Sequence, residues 1–148
     1  MKQVDFYLIG NTVHQARYKL ASRLAKKLQG MEQSALIVVD HDDELNPLDE
    51  VLWVFSDTSF VAHDRVPSSD GTRSLTHIAK ASEVSSEMLD KQYDVLISLT
   101  SEVQAFSHRF SRIAEIIESE ESSKAAGRDR FRHYKTEGFE LKTHNLEL

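Results

Sequence analysis

Cysteine is absent from the 148 residues of this chain. The absence excludes disulfide scaffolds, thiolate zinc sites and cysteine nucleophiles, and it fits a reducing cytoplasm. Long apolar runs are also missing, since no stretch approaches the roughly 20 residues of a membrane-spanning helix. The apolar run at residues 6–9 is too short for a signal peptide. We therefore expect a cytoplasmic protein without a membrane segment.

Positive charge is in deficit, because 18 lysines and arginines stand against 24 acidic residues and leave a net charge of −6. The protein as a whole should not be drawn to nucleic acid, so any basic binding site must be local. An apolar fraction of 40% and a charged fraction of 28% are ordinary for a soluble protein. The length suits one domain over residues 1–148, with a core that needs neither disulfides nor metal.

Apolar runs of strand length recur along the chain. They predict six strands, at residues 4–9, 35–39, 60–63, 75–79, 94–99 and 113–117. Helical spacing follows the first strand, where Leu20, Leu24 and Leu28 come after a predicted N-cap at Thr12 and before a predicted C-cap at Gly30. Alternation of short buried strands with helices predicts an α/β fold, in which a mostly parallel sheet is covered by helices on both faces.

Two further helices and one ambiguous segment complete the pattern. Pro47 is expected to open a short helix, and residues 124–136 are expected to form a charged helix that Gly138 ends. Residues 103–117 combine helical spacing in their first half with a β-branched run in their second. We predict a helix there, followed by the last strand. Residues 67–72 are expected to form a polar turn.

An open α/β sheet suggests a nucleotide-binding enzyme, but the phosphate-binding loop is missing. The first strand-to-helix turn contains a single glycine, Gly10, so neither the dinucleotide fingerprint nor the P-loop spacing is present. Asp40 follows the second strand, where a ribose-binding acid would stand. Without the loop, the simpler interpretation is that Asp40 solvates a strand end. A nucleotide-using α/β enzyme that lacks a recognisable loop is the alternative function. A direct binder of single-stranded DNA is a third, which would need several exposed aromatic residues along a basic groove.

The chain offers no local signature of catalysis, cofactor binding or metal binding. Its seven histidines show no H-x₃-H or H-E-x-x-H spacing, and no serine lies in a G-x-S-x-G elbow. His41 precedes three acidic residues, which a solvated loop explains more simply than a cation site does. We therefore expect no catalytic residue, no cofactor and no metal ligand.

The first candidate binding surface contains Trp53, the only tryptophan of the chain. On an ideal helix, which turns by about 100° per residue, Leu48, Val51 and Leu52 cluster on one side and Trp53 lies nearly opposite. The indole is therefore expected to face outward as an anchor for a partner, with Phe60 extending the patch. Coverage of the indole by another part of the chain is the alternative.

The second candidate is a basic stripe, which we define as Lys124, Arg128, Arg132 and Lys135 of the C-terminal helix. Their spacing of three and four residues puts them within about 80° of arc, with Phe131 at the border. A solvated helix face is the ordinary explanation of such a charge run. An anion-binding surface is the functional one, and the negative net charge favours an acidic peptide over nucleic acid.

Several short segments, in their order and spacing, point to a known family. They are Asp5-Phe6-Tyr7-Leu8, Ala35–Val39, Leu48-Asp49-Glu50 with Leu52-Trp53, Ser59-Phe60-Val61 with His63, Asp94-Val95-Leu96-Ile97-Ser98-Leu99, Gly127-Arg128 through Arg132, Tyr134-Lys135 and Gly138-Phe139. Together they resemble the chi subunit of bacterial DNA polymerase III over nearly the whole chain. The resemblance implies a Rossmann-like fold without a nucleotide site and a protein that is not catalytic.

The resemblance also implies partners. The small psi subunit would tether the chain to the clamp-loader complex, and Trp53 and Phe60 fall where the family contacts a partner. The acidic C-terminal tail of the single-stranded DNA-binding protein, which ends in phenylalanine, would bind the basic stripe with Ile117 and Phe131 as apolar contacts. No sequence-specific contact with nucleic acid is implied.

The chain departs from the family pattern at three points. Phe131 stands where tyrosine is common, which removes a hydroxyl contact from the tail site. Ala62 stands where proline commonly precedes the histidine. The polar residues 66–74 do not align.

Overall fold

The structure is a computed structural model that describes residues 2–53, 63–65, 75–90 and 93–148. The predicted contact Phe60, the predicted turn at 67–72 and most of the predicted strand at 60–63 lie outside these residues. Within the described helices, none is both long enough and apolar enough to cross a membrane.

The described residues contain seven strands, which form one sheet. They are β1 (Gln3–Ile9), β2 (Ala35–Val39), β3 (His63–Arg65), β4 (Thr76–Lys80), β5 (Val95–Ser98), β6 (Arg112–Ile117) and β7 (Glu140–Leu146). Their order across the sheet is β3-β4-β2-β5-β6-β1-β7, and every neighbouring pair is parallel. Parallel neighbours need crossover connections. Helices lie in the connections after β1, β2, β4 and β6, and a 3₁₀ turn lies between β5 and β6. The predicted Rossmann-like α/β class is confirmed.

Helices cover both faces of the sheet. They are α1 (Ala16–Gly30), α2 (Leu45–Trp53), α3 (Ser86–Leu89) and α4 (Glu121–Thr136). The helices α1 and α2 share one hydrophobic core with the sheet, and α3 and α4 share the other. Because successive side chains of a strand point to opposite faces, β1 sends Val4 and Phe6 to the α4 side and Ile9 to the α1 side.

The predicted N-cap of the first helix is wrong by three residues, and the predicted C-cap is wrong by one, since the observed C-cap is Met31. The N-cap is Gln15, at a φ of 55°, rather than Thr12, because the chain makes one more turn in which the Ala16 N–H binds the Val13 carbonyl. At the other end Gly30 is still helical. The left-handed residue is Glu32, with a φ of 58°.

The acidic segment before α2, residues 42–44, caps the start of the helical region. Residues Asp42–Glu44 form a 3₁₀ turn that leads directly into the helix, so Pro47 is its third residue and not its first. One oxygen of Glu44 accepts the backbone N–H groups of Asp40 and His41, each at 3.1 Å. Glu44 is therefore structural. Across the described part of the chain, no group of three histidines or acidic residues could hold a metal ion.

The edge strand β7 follows the strand that was predicted to be the last. Residues 103–117 begin with a 3₁₀ turn (Ala105–Arg109) and end in β6, as the helix-then-strand prediction anticipated in outline. Strand β7 lies at the edge of the described sheet beside β1, and its side chains are exposed or half-buried throughout. A strand at an edge carries no continuous apolar run, so hydropathy gives no sign of it.

Candidate functional site

Helix α4 carries the basic stripe on its solvent side. Lys124, Arg128, Arg132 and Lys135 are all exposed, as the helical spacing predicted. The opposite side of the helix is buried through Gly127, Arg130 and Tyr134. The orientation of α4 on the sheet therefore decides what the stripe can reach.

A buried polar network holds α4 in that orientation. The Arg130 side chain, 5% exposed, donates through Nε to Oε1 of Glu115 at 2.9 Å and through Nη1 to the Ser101 carbonyl at 2.8 Å. The Tyr134 hydroxyl donates to Oε2 of the same glutamate at 2.7 Å. Burial raises the pKa of Glu115, and the Arg130 cation opposes that rise. Any rotation of α4 about its axis would break these bonds and leave Glu115 buried without its partners.

A cleft of about 360 Å³ opens between α4 and the sheet beside the stripe. We call it the α4 cleft. The strands β1 and β6 contribute the apolar side chains of Phe6, Leu8, Ile9 and Ile117. Helix α4 contributes Lys124, Gly127, Arg128 and Phe131, and β7 contributes Thr143 and Asn145. The loops at the strand ends complete the lining with Gly10, Glu118 and Ser119. The cleft is thus apolar inside and basic along the α4 rim, with one carboxylate, Glu118, at the end that lies 3.7 Å from Arg17.

Four of the six predicted tail-site residues meet in this cleft, namely Ile117, Lys124, Arg128 and Phe131. Arg132 and Lys135 do not line it. Arg132 is rotated about 40° further from the cleft than Arg128, and Lys135 lies one turn beyond Phe131. Arg132 instead forms an exposed ion pair with Asp129 at 3.1 Å.

The ring of Phe131 is half-buried and packs inward. Its centroid lies 5.2 Å from that of Phe6, at an interplanar angle of 50°. Aromatic pairs in this tilted arrangement are stabilised beyond the area that they bury. Phe131 is therefore part of the cleft wall, held in place by a core residue of β1.

Sequence patterns did not identify several cleft residues. Phe6 and Leu8 belong to what appears in the sequence as a buried strand, and only the alternation of side chains assigns them to the α4 side. Thr143 and Asn145 lie on the strand that was not predicted. Gly127 did carry a signal, since a glycine inside a helix is unfavourable without a packing reason. That reason is contact with Ile117, whose Cδ1 would be 2.4 Å from a Cβ at position 127.

The indole of Trp53 faces solvent at the end of α2. It is 53% exposed, whereas Leu48, Val51 and Leu52 are at most 6% exposed. The outward direction expected from the helical spacing agrees with this exposure. Because α2 and α4 lie on opposite faces of the sheet, the Trp53 surface and the α4 cleft are separated by the sheet itself.

The carboxyl ends of β2, β5 and β6 border a second cleft, of about 250 Å³, where open α/β sheets commonly bind nucleotides. Its cations are engaged internally. Arg17 forms an ion pair with Glu44, donates to the Leu99 carbonyl at 3.1 Å and lies 3.7 Å from Glu118. Asp40 accepts the Ser101 N–H at 3.0 Å. Carboxylates at the lip and arginines with existing partners make this cleft a poor phosphate site.

A solved structure shares the fold at low sequence identity. It is that of T4 UvsW, with a TM-score of 0.70 at 12% identity over 98% of this chain. The match spans 41% of the UvsW chain. Identity at this level carries information on the fold alone.

Three curated proteins match this chain over nearly its full length, and all three have the same name. The DNA polymerase III subunit chi of Pseudomonas aeruginosa is 32% identical over 99% of this chain and 98% of its own. Its counterpart from Escherichia coli is 29% identical, with 97% of each chain covered, and that from Haemophilus influenzae is 26% identical, with 98% of each covered. The family described as "DNA polymerase III chi subunit, HolC" matches residues 1–142. The chain therefore belongs to the DNA polymerase III chi subunit family of replication factors.

Proposed function

We propose that the chain is a non-catalytic adaptor of the replication machinery. In this proposal the α4 cleft binds the acidic C-terminal tail of the single-stranded DNA-binding protein. The Trp53 surface binds the psi subunit, which links the chain to the clamp-loader complex. The observation that carries the proposal is the α4 cleft, where an apolar interior lies directly beside two exposed cations.

The chemistry of the cleft suits a peptide that ends in an aromatic residue. Its volume of about 360 Å³ is at the lower end of the range typical of ligand pockets. A phenylalanine side chain would lie against Phe6, Ile117 and Phe131. The terminal carboxylate would bind Arg128, whose guanidinium can donate two parallel hydrogen bonds, with Lys124 beside it.

Arg132 and Lys135 would act outside the cleft, on acidic residues earlier in the tail. Exposed ion pairs contribute only about 0–1 kcal/mol each, whereas burial of one phenylalanine contributes about 1.5–3 kcal/mol. Ordering the peptide opposes both terms. Binding is therefore expected to be weak, and it should weaken further as salt rises.

Arg128→Ala is expected to reduce the affinity for a fluorescent tail peptide by about tenfold or more, because hydrogen bonds to charged groups contribute roughly 1.5–3 kcal/mol. Arg128→Lys should recover only part of the loss, since an ammonium group cannot form the paired hydrogen bonds. Deleting the final phenylalanine of the peptide should be about as damaging as removing Arg128. Titration by fluorescence anisotropy measures each affinity.

Arg132→Ala is the matched control, because it removes the same charge from the same helix outside the cleft. It should weaken the peptide complex less than Arg128→Ala does. If both variants bind the tail like the unmodified protein, the stripe is only a solvated helix face. Equal losses for the two would mean that net charge, and not the cleft, drives binding.

Gly127→Ala is expected to narrow the cleft while leaving the protein folded. The new Cβ would meet Ile117 Cδ1 at 2.4 Å, and the isoleucine would have to turn into the space that the peptide uses. Alanine gains about 1 kcal/mol of helix propensity over glycine, which offsets part of the strain. We therefore expect weaker peptide binding with little change in the urea midpoint.

Ile117→Val in the same chain removes the Cδ1 methyl that would collide. The double variant Gly127→Ala/Ile117→Val should therefore bind the peptide better than Gly127→Ala alone. A double variant that binds no better would show that the loss has another cause than the position of the Ile117 side chain.

A further inference from the structure

We propose that the solvent-facing side of α1 binds the phosphate backbone of nucleic acid without sequence preference. Lys19, Arg23 and Lys27 form this surface, which we call the α1 basic face. Arg23 and Lys27 are exposed and Lys19 is half-buried. With about 100° per residue, the three lie within about 80° of arc on the side of α1 that points away from the sheet.

Positive charge is concentrated on this helix. The 15 residues of α1 include five lysines and arginines and no acidic residue. The remaining 133 residues therefore contain 13 basic and 24 acidic residues, a net charge of −11 against the −6 of the whole chain. Arg17 is paired with Glu44, so the positive charge on the solvent side of α1 comes mainly from the α1 basic face, and it is opposite in sign to the charge of the rest of the molecule.

The arrangement is unfavourable for the helix itself. Lys19 and Arg23 are four residues apart, as are Arg23 and Lys27, and like charges at this spacing destabilise a helix. Exposed helices usually intersperse acidic residues that turn such pairs into favourable ones. In the part of the chain that the structure describes, the recorded ion pairs do not involve these three side chains. A polyanionic ligand would relieve the repulsion.

The shape of the surface favours nucleic acid over an acidic protein segment. The outward arc presents no aromatic or apolar side chain, and contact with phosphates needs only a row of cations. Peptide recognition depends instead on pockets that receive side chains. The cleft on the flank of α1, which Leu24, Lys27 and Met31 border, has a volume of about 130 Å³, well below the roughly 300 Å³ of typical ligand pockets.

Binding of this kind is expected to be weak and strongly dependent on salt. Without aromatic side chains on the surface, no base stacking adds to the phosphate contacts. A member of a replication-factor family is held near DNA by its assembly, and tethering raises the effective concentration of a weak contact. The inference does not depend on the proposed tail site, because α1 and α4 lie on opposite faces of the sheet.

The test is a salt titration of binding to fluorescein-labelled oligothymidylate and to a labelled duplex, followed by anisotropy. Each phosphate contact contributes about 0.7–0.9 to the slope of log K against log salt. Arg23→Gln should lower the slope by about one contact and the triple variant Lys19→Gln/Arg23→Gln/Lys27→Gln by about three. Arg23 and Lys27 are exposed and Lys19 is half-buried, and glutamine keeps most of each side chain's length, so the circular dichroism spectrum should not change. Tail-peptide binding should be unaffected.

Lys142→Gln is the matched control, since it removes one exposed cation from β7, on neither surface. Its salt slope should equal that of the unmodified protein. Equal effects of Lys142→Gln and Arg23→Gln would overturn the proposal, as would an unchanged slope in the triple variant. Labelled polyglutamate is titrated in parallel. If it binds more tightly than the oligonucleotide and the triple variant loses it, the α1 basic face is a site for acidic protein and the nucleic-acid proposal fails.

Discussion

Arg130→Ala is expected to lower the free energy of unfolding by about 3–5 kcal/mol, the usual cost of removing one partner of a buried ion pair. Glu115 has no exposed surface, so its carboxylate would lose the 2.9 Å hydrogen bond from Arg130 without gaining water. The carbonyl of Ser101 would lose its donor as well. Urea denaturation at neutral pH measures the change.

A second pair of variants separates charge from packing. Arg130→Met keeps most of the side-chain volume but still leaves Glu115 alone. The double variant Arg130→Met/Glu115→Gln removes both charges and should be more stable than Arg130→Met, because no ion then remains buried without a partner. If the double variant is the less stable of the two, the contribution of the network is packing and not electrostatics.

The loss in Arg130→Ala should depend on pH in a defined direction. Burial raises the pKa of Glu115, and the cation that opposes the rise is removed in the variant. A carboxyl whose pKa is higher in the folded than in the unfolded state costs stability above its folded pKa, and that cost is lost as pH falls towards its unfolded pKa. The variant should therefore approach the unmodified protein in stability as the solution is made acidic.

Trp53→Ala is expected to weaken the complex with the psi subunit by about 2 kcal/mol or more, the loss typical of an aromatic anchor in an interface. The indole is 53% exposed in the free protein, so its removal should leave the free energy of unfolding almost unchanged. Calorimetric titration with purified psi measures the affinity. In the unmodified protein, psi should also protect the tryptophan fluorescence from quenchers.

Met31 supplies the control for this prediction, since it is the other large apolar residue with high exposure among the described residues, also at 53%. Met31→Ala should not change the affinity for psi. A Trp53→Ala protein that melts well below the unmodified one would show that the indole supports the fold. Equal affinity of the two variants for psi would remove the Trp53 surface from the proposal.

The sequence was sufficient for features that depend on local periodicity. Buried strands such as Ala35–Val39 appear as apolar runs in any α/β protein, and residues 35–39 form β2 as predicted. The outward direction of Trp53 followed from the positions of Leu48, Val51 and Leu52 on the same helix. The exposure of the basic stripe followed in the same way. In each case the decisive neighbours are within a few residues along the chain.

The cap positions of helices were harder to predict from the sequence, because several neighbouring residues are of types that favour caps. Thr12 and Gly30 are the residue types that favour caps, yet Gln15 and Glu32 take the left-handed conformations that flank α1. Pro47 is the third residue of α2, and proline is tolerated in the first turn of a helix. The tertiary position of each loop outweighed these preferences.

The members of the α4 cleft depend on which strands become neighbours. Phe6 of β1, Ile117 of β6 and Thr143 of β7 are far apart in sequence and meet because the sheet order puts β1 between β6 and β7. The same strand order places Glu115 beneath α4, where it binds Arg130. This contact sets the rotation of α4 about its axis, so Arg128 reaches the cleft and Arg132 does not. Helical periodicity alone determined that these cations share one face, but only the pairing of distant strands decided which of them border an apolar cleft.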